Sequence, residues 1–302
     1  MTTPELSVVI STHNRPSEVR EAIAAVVHQD HDGPIETVVV WDKTEPEWEL
    51  ASDDAHRPVR VMANDHTPGL PGSRNSGAAA SGAPVIGFSD DDDLWEPSKA
   101  RKQLELMTRT GAPAVGCGIR IVGDGRTVPR ATTGSAVRFE DLIRSRVPEA
   151  YMGTIIVRRD AFFGPIGPLD EHIPGGFAED YEFWLRSARH APVPIVREPL
   201  FTIRWTGSSF FRDKWQNMDD ALAALLDRFP EFADDPKGLA RVLGQRAFAR
   251  AALGDRRGSL LLVARALRHN PAEARAVLAG LVDAGVPADT VMGALNRVGR
   301  GI

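Results

Sequence analysis

Four short runs rich in valine and isoleucine decide what this chain can become. LSVVIS (6–11), ETVVVWD (36–42), VRVMA (59–63) and PVIGFS (84–89) have the length and β-branched content of buried strands. Helical stretches are interleaved with them. Ser17 can N-cap EVREAIAAVVHQ (18–29), SRNSGAAAS (73–81) precedes the fourth run, and PSKARKQLELMTRT (97–110) follows it with Pro97 in its first turn. That order predicts a mostly parallel, doubly wound α/β sheet with helices on both faces.

Beyond residue 114 the pattern is mixed. AVGCGIRIV (114–122) and YMGTIIVRR (151–159) read as strands, FEDLIRSR (139–146) and DYEFWLRSARH (180–190) as helices, and PIVREPLFTIRW (194–205) as two short edge strands. Five helical segments then follow, at 217–229, 238–253, 256–270, 271–285 and 288–298. Residues 252–281 have the helix, Gly-Asp turn, helix and Asn-Pro break of one tetratricopeptide-like hairpin. The expected organisation is an α/β domain over 1–212 and an α-helical appendage over 213–302.

At 302 residues the chain is long enough to bury a sizeable core. Its single cysteine, Cys117, excludes an intrachain disulfide and fits a reducing compartment. The opening MTTPELSVVISTHNRP lacks the basic start and long apolar stretch of a signal peptide, and no apolar run approaches the ~20 residues of a membrane span. A cytoplasmic protein is expected. The net charge of −5 is unevenly spread: from Lys237 onward eleven Lys or Arg against four acids give +7, which leaves −12 on residues 1–236. A basic module on an acidic body suits peripheral association with an anionic membrane surface or an acidic partner, or is a solvated arginine-rich face. Nucleic acid is not expected, because the basic residues are not interleaved with aromatics in a reader motif.

Ligands of open α/β sheets collect beyond the carboxyl ends of the strands. Those ends carry THNRP after the first strand, Asp42 after the second, the loop leading to Arg74 after the third, and Asp90, Asp91, Asp92 and Asp93 after the fourth. One or two acids would suffice to complement the amino end of the helix near Pro97. Four in a row repel one another and imply a cation, and hard carboxylate oxygens suit a divalent metal. Alternate residues of an extended segment point the same way, so Asp90 and Asp92 can serve one site while Asp91 turns aside.

Taken together, SVVISTHNRP, VVVWD, GSRNSGAAASGAPVIGFSDDDD and GGFAEDYEFWLR resemble, in order and spacing, the inverting, nucleotide-sugar-dependent glycosyltransferases of family 2. The resemblance covers residues 5–210 and implies the GT-A (Rossmann-like) fold. It implies that Asp42 accepts the imide N–H of a pyrimidine base, a role that suits an acceptor-only carboxylate. It places Thr12, His13 and Asn14 at the base pocket, Arg15 within reach of phosphate, and Arg74 where a guanidinium and helix-start N–H groups meet a nucleotide. As an alternative, Arg74 pairs with one of the aspartates.

By the same resemblance Asp90 and Asp92 form an Asp-x-Asp pair. The first contacts ribose or metal, with Asp91 beside it at the nucleotide, and the second holds Mn²⁺ or Mg²⁺ on the donor diphosphate. Asp93 caps or orients the run. Asp180 is the implied base that takes the acceptor hydroxyl's proton, with Glu179 as the competing candidate. Trp184, four residues beyond Asp180, shares its helix face and is a candidate to stack on an acceptor sugar, though it also fits a core position. Arg186 lies further along that helix. Thr206 stands where the family often has a histidine near the metal, so the diphosphate and water would supply the other ligands. The reaction so implied moves a sugar from a nucleoside-diphosphate donor, UDP or dTDP, to a carbohydrate, lipid-linked or other hydroxyl acceptor.

Competing classes lack their marks. STHNRPSE has no glycine or lysine for a nucleotidyltransferase loop, and neither G-x-G-x-x-G nor a Walker lysine is present there. The reading from a different class is a catalytically degenerate scaffold whose helical tail recruits a partner, against which the intact acidic motifs argue.

Overall fold

The computed structural model describes residues 3–123, 126–205 and 214–297. The chain divides into two compact units, one of Met1–Phe139, Val147–Glu171 and Glu179–Thr206, the other of Glu140–Arg146, His172–Ala178 and Gly207–Ile302. Two excursions from within residues 1–212 therefore group with the helical unit.

The first unit begins β1 (Leu6–Thr12), α1 (Pro16–Val27), β2 (Ile35–Trp41), β3 (Val59–Ala63), α2 (Leu70–Ala80), β4 (Val85–Asp90), β5 (Leu94–Trp95) and α3 (Lys99–Thr110). It continues through β6 (Ala114–Gly123), β7 (Arg126–Arg130), β8 (Ala136–Val137), the start of α4 (Phe139–Arg144), β9 (Ile156–Arg158), α5 (Arg159–Phe162), α6 (Glu179–His190) and β10 (Val193–Arg204). The strands form one mixed sheet in the order β3-β2-β1-β4-β9-β6-β10-β5. The first four are parallel, β9 runs antiparallel to both neighbours, and β6 and β10 are parallel again. Every residue of β1 and β2 is buried, the apolar stretches 8–10 and 38–41 directly and Glu36 with Ser7 and Arg60 as partners.

Register puts the site's framework on one edge. Thr12 pairs with Trp41 and Trp41 with Ala63, while Ser11 pairs with Asp90, so the carboxyl ends of β1 to β4 are nearly level. Helix α2 lies close against this sheet because Gly77 lacks a side chain: a Cβ there would meet Val9 Cγ1 at 2.4 Å and Val40 Cγ2 at 2.8 Å.

Several local expectations change. PIVREPLFTIRW forms the single strand β10 inside the sheet, not two edge strands, and its register shifts on either side of Pro199. A proline without an N–H is accommodated at that irregularity. YMGTIIVRR is a 3₁₀ turn, the three-residue β9 and the start of α5. Pro97 lies in the turn ahead of α3, whose first residue is Lys99. Ser17 does not N-cap α1: the helix already begins at Pro16, and the Ser17 hydroxyl donates to Glu18 Oε2 at 3.0 Å. The short strands β5, β7 and β8 had no signal of their own.

The second unit contains α7 (Trp215–Arg228), α8 (Pro236–Ala252), α9 (Arg256–His269), α10 (Ala274–Asp283) and α11 (Ala288–Arg297). Leu243, Phe248, Leu262, Ala266, Ala276 and Ala279 make its core. Asp235 and Asp255 cap α8 and α9, accepting from the N–H groups of Gly238 (2.8 Å) and Gly258 (2.9 Å). Among the described residues no helix is long and apolar enough to cross a membrane.

Candidate active site

The four aspartates do not share one environment. Asp91 points into the protein, its side chain 7% exposed, and accepts from Thr12 Oγ1 at 2.8 Å and Arg15 Nη1 at 2.9 Å. Asp90 and Asp92 keep 31% and 38% of their side chains exposed. Asp93 accepts the backbone N–H of Arg204 at 3.0 Å, tying the acidic turn to the end of β10. Arg15 bridges Asp91 and Asp92, the latter at 2.5 Å.

Burial and mutual repulsion make this turn costly to ionise. Burial pushes Asp91 up to about 6 against the opposing effects of Thr12 and Arg15. Burial and Asp90 raise Asp92, and burial with Asp90 and Asp92 raises Asp93 well above the usual carboxylate range. Among the described residues no three His, Cys, Asp or Glu side chains form a preassembled metal cage.

Arg74 links the acidic turn to the start of α6. Almost fully buried, it donates from Nη2 to Asp90 Oδ1 and from Nη1 to Glu179 Oε1, each at 2.5 Å. Burial opposes its charge, but the two carboxylates outweigh burial and raise its pKa. Glu179 is itself buried, and burial together with Asp180 pushes it up to about 7 although Arg74 acts the other way. Both candidate acids thus sit on the first turn of one helix in different settings. Glu179 faces Arg74, while the half-buried Asp180 accepts the N–H of Tyr181 at 2.7 Å.

Asp42 stands beyond β2, with Oδ1 accepting from Asn64 Nδ2 at 2.9 Å and from the N–H of Gly69 at 3.1 Å. Its Oδ2 lies 3.9 Å from Lys43 Nζ. The His13 ring, through Nδ1, meets the Asp42 carbonyl at 2.7 Å, so the loops after β1 and β2 are joined. Asn14, Lys43 and Ala178 are the non-glycine residues with positive φ among those described. Each adjoins a candidate site residue (Arg15, Asp42 and Glu179), where strained backbone often marks function. Ser11 Oγ, Trp41 Nε1, Ser73 Oγ and Arg74 Nε are buried without hydrogen-bond partners near the same strand ends and the start of α2, as in a polar site awaiting its ligand.

Trp184 is a correction. Its side chain has no exposed surface, its indole N–H donates to the Tyr151 carbonyl at 3.1 Å, and its ring packs where Gly116 leaves room. The indole is core and offers no face to a sugar. Arg186 holds the carbonyls of Ile166, Gly167 and Pro168 and pairs with Glu182. Thr206 lies outside the described residues.

The structure adds Asn75 and Glu171, which the sequence had not singled out. Asn75 brackets the backbone of Leu169, donating to its carbonyl and accepting its N–H, at 2.9 and 3.0 Å. Glu171 accepts from Asn75, His66 and the Thr67 N–H. Against the upward push of burial, these bonds hold it at about 2. The loop from β3 to α2 is thereby fixed beside Asp42. No local motif announces this, since the partners are about a hundred residues apart.

The parallel first half, the mixed second half and the acidic strand ends define a GT-A-type α/β fold with C-terminal helices. The family model described as Glycosyl transferase family 2 matches residues 7–163, and the chain belongs to that family. An uncharacterised glycosyltransferase of Nostoc is 29% identical over 150 residues, covering 46% of this chain and 44% of the relative. The chain spans less than two thirds of that relative and of a second, from Haemophilus influenzae. Among solved structures, TarS of S. aureus in complex with UDP-GlcNAc superposes with a TM-score of 0.60 at 16% identity, covering 88% of this chain and 81% of that one. The mannosyltransferase PcManGT of Pyrobaculum calidifontis, in complex with GDP-Man and Mn²⁺, gives 0.56 at 14% identity, covering 94% and 88%.

Proposed function

We propose that this chain is an inverting glycosyltransferase that moves a sugar from a nucleoside diphosphate to an acceptor hydroxyl. The observation that carries the reading is the Asp90–Arg74–Glu179 bridge, which draws the acidic strand end and the start of α6 to one edge of the sheet. The sugar-nucleotide complexes of the two structural neighbours support the substrate class.

Asp42 is suited to read the base. A carboxylate offers only lone pairs, and with Oδ1 committed to Asn64 and Gly69, Oδ2 is the oxygen for an imide N–H. That chemistry favours uridine or thymidine. The amino end of α2 and the orphaned Ser73 hydroxyl favour a diphosphate alongside. Asp90 and Asp92 fit a divalent cation: both are hard donors, both are partly exposed, and burial first, then the neighbouring Asp90, raise the Asp92 carboxyl, so a cation beside it would favour its charged form. Mn²⁺ or Mg²⁺ bound there would supply positive charge beside the departing diphosphate.

Asp180 is the base. As the acceptor oxygen attacks the anomeric carbon, its proton passes to the Asp180 carboxylate while the bond from that carbon to the diphosphate oxygen breaks and the nucleotide leaves with the electron pair. One displacement inverts the anomeric centre. Glu179 is a positioning residue, since its carboxylate is engaged by Arg74 and buried. The test is turnover of UDP- and dTDP-sugars with Mn²⁺ across an acceptor panel. Asp180→Asn is expected to lower transfer by at least about a thousandfold with UDP affinity unchanged; transfer at the wild-type rate would remove Asp180 from the reaction.

A further inference from the structure

We infer that the outward face of α9 is a docking surface for an anionic lipid bilayer. From 256 to 272 the sequence contains four arginines and no carboxylate. Arg257, Leu261, Ala264 and Arg268 follow the i, i+4, i+7, i+11 spacing of one helical ridge, and all four are exposed. Leu260 and Arg265 flank the ridge, both exposed as well. Leu261 is 62% and Leu260 46% exposed, whereas Ser259, Leu262 and Ala266 on the opposite face are buried in the unit's core.

The neighbouring helix α10 repeats the apolar half of the pattern. Ala274, Val277 and Leu281 are exposed, opposite the buried Ala276 and Ala279. None of Arg256, Arg257, Arg265 and Arg268 has an ion-pair partner among the described residues, whereas Arg246, Arg250 and Arg275 in the same unit are paired. Guanidiniums without ion-pair partners among the described residues, interleaved with exposed leucines along one helical ridge, match a surface with phosphate oxygens above hydrocarbon. The leucines reach the acyl boundary while the arginines stay at headgroup level. A second copy docked through the same ridge would set arginine against arginine, which argues against self-association there.

The test is co-sedimentation of the full chain with vesicles of phosphatidylcholine alone and with about one third phosphatidylglycerol. Binding is expected to the anionic vesicles only and to weaken as salt rises. Arg257→Glu with Arg268→Glu, and Leu260→Ser with Leu261→Ser, should each lower partitioning by at least about tenfold while thermal melting and UDP binding are unchanged. A second readout does not depend on those variants folding. Leu261→Cys carrying an environment-sensitive dye should shift to the blue with anionic vesicles, and Glu105→Cys, on an exposed part of α3, should not; the native Cys117 is buried, which keeps its thiol protonated and away from the dye. The inference is overturned by absence of anionic-vesicle binding, by equal binding of the variants or of neutral vesicles, or by a dimer that Leu261→Ser dissociates.

Discussion

Replacing Glu179 with glutamine isolates the electrostatics of the buried Arg74 bridge. Burial first, then the neighbouring Asp180, raise the Glu179 carboxyl from 4.5 to about 7 even though Arg74 opposes them. Between those two pH values the folded chain holds a proton that the unfolded chain has released, so stability is greatest at the acid end and falls as pH rises through the window. At about 1.4 kcal/mol per pH unit the loss is on the order of 3 kcal/mol. Glutamine keeps an acceptor oxygen for Arg74 and has no proton to lose. The difference in stability between variant and wild type should therefore move toward the variant by on the order of 3 kcal/mol from about pH 4.5 to about pH 7.5. Asp91, Asp92 and Asp93 are raised as well and persist in both proteins, which makes this difference the readout. Urea unfolding followed by tryptophan fluorescence at steps across that range measures it. Parallel pH profiles for the two proteins would refute the reasoning.

Lys99 makes a second test of buried charge. It is fully buried, donates to Gln103 Oε1 at 2.5 Å, lies 3.6 Å from the Trp95 ring centroid, and burial lowers it to about 8. Lys99→Met removes an ionisation penalty on the order of 3 kcal/mol at pH 7 and leaves Gln103 Oε1 without its donor at a cost of about 1 kcal/mol. It should therefore stabilise the chain by about 2 kcal/mol, a gain that shrinks as pH rises from about 8 to about 10.5; destabilisation in chemical denaturation would contradict it. Trp184→Ala should cost about 3–5 kcal/mol, and Trp184→Phe should leave the acceptor KM unchanged. A raised acceptor KM with intact stability would return Trp184 to the sugar site.

The first half of the fold was legible because β1 to β4 and α1 to α3 are local: β-branched runs and apolar periodicity suffice, although the helix start at Pro16 was set by the proline and not by a capping Ser17. The helical tail was legible for the same reason, with Gly254 and Asp255 marking the turn between α8 and α9. Where sequence reading failed, the deciding information lay elsewhere in the chain. PIVREPLFTIRW read as two edge strands, yet β10 runs unbroken from Val193 to Arg204 because β6 pairs with it on both sides of Pro199. The i+4 spacing placed Trp184 on the same helix face as Asp180, but could not say that Gly116 empties a pocket for it in the core. The residues of the acidic edge could be named from strand ends, and the pairing of Arg74 with an aspartate was one of the two readings of that residue, whereas its second partner was not foreseen. Arg74 and Glu179 are 105 positions apart, and Arg15 engages the aspartates by a loop geometry that no spacing encodes.

Calorimetric titration of UDP, with and without Mn²⁺, tests the acidic strand ends most directly as the seat of a metal-assisted nucleotide site. Binding should tighten at least about tenfold with Mn²⁺ in the wild type, and Asp92→Ala should lose that gain while keeping the metal-independent part. Equal affinity with and without the metal, or an Asp92→Ala variant that responds to Mn²⁺ as the wild type does, would contradict the account.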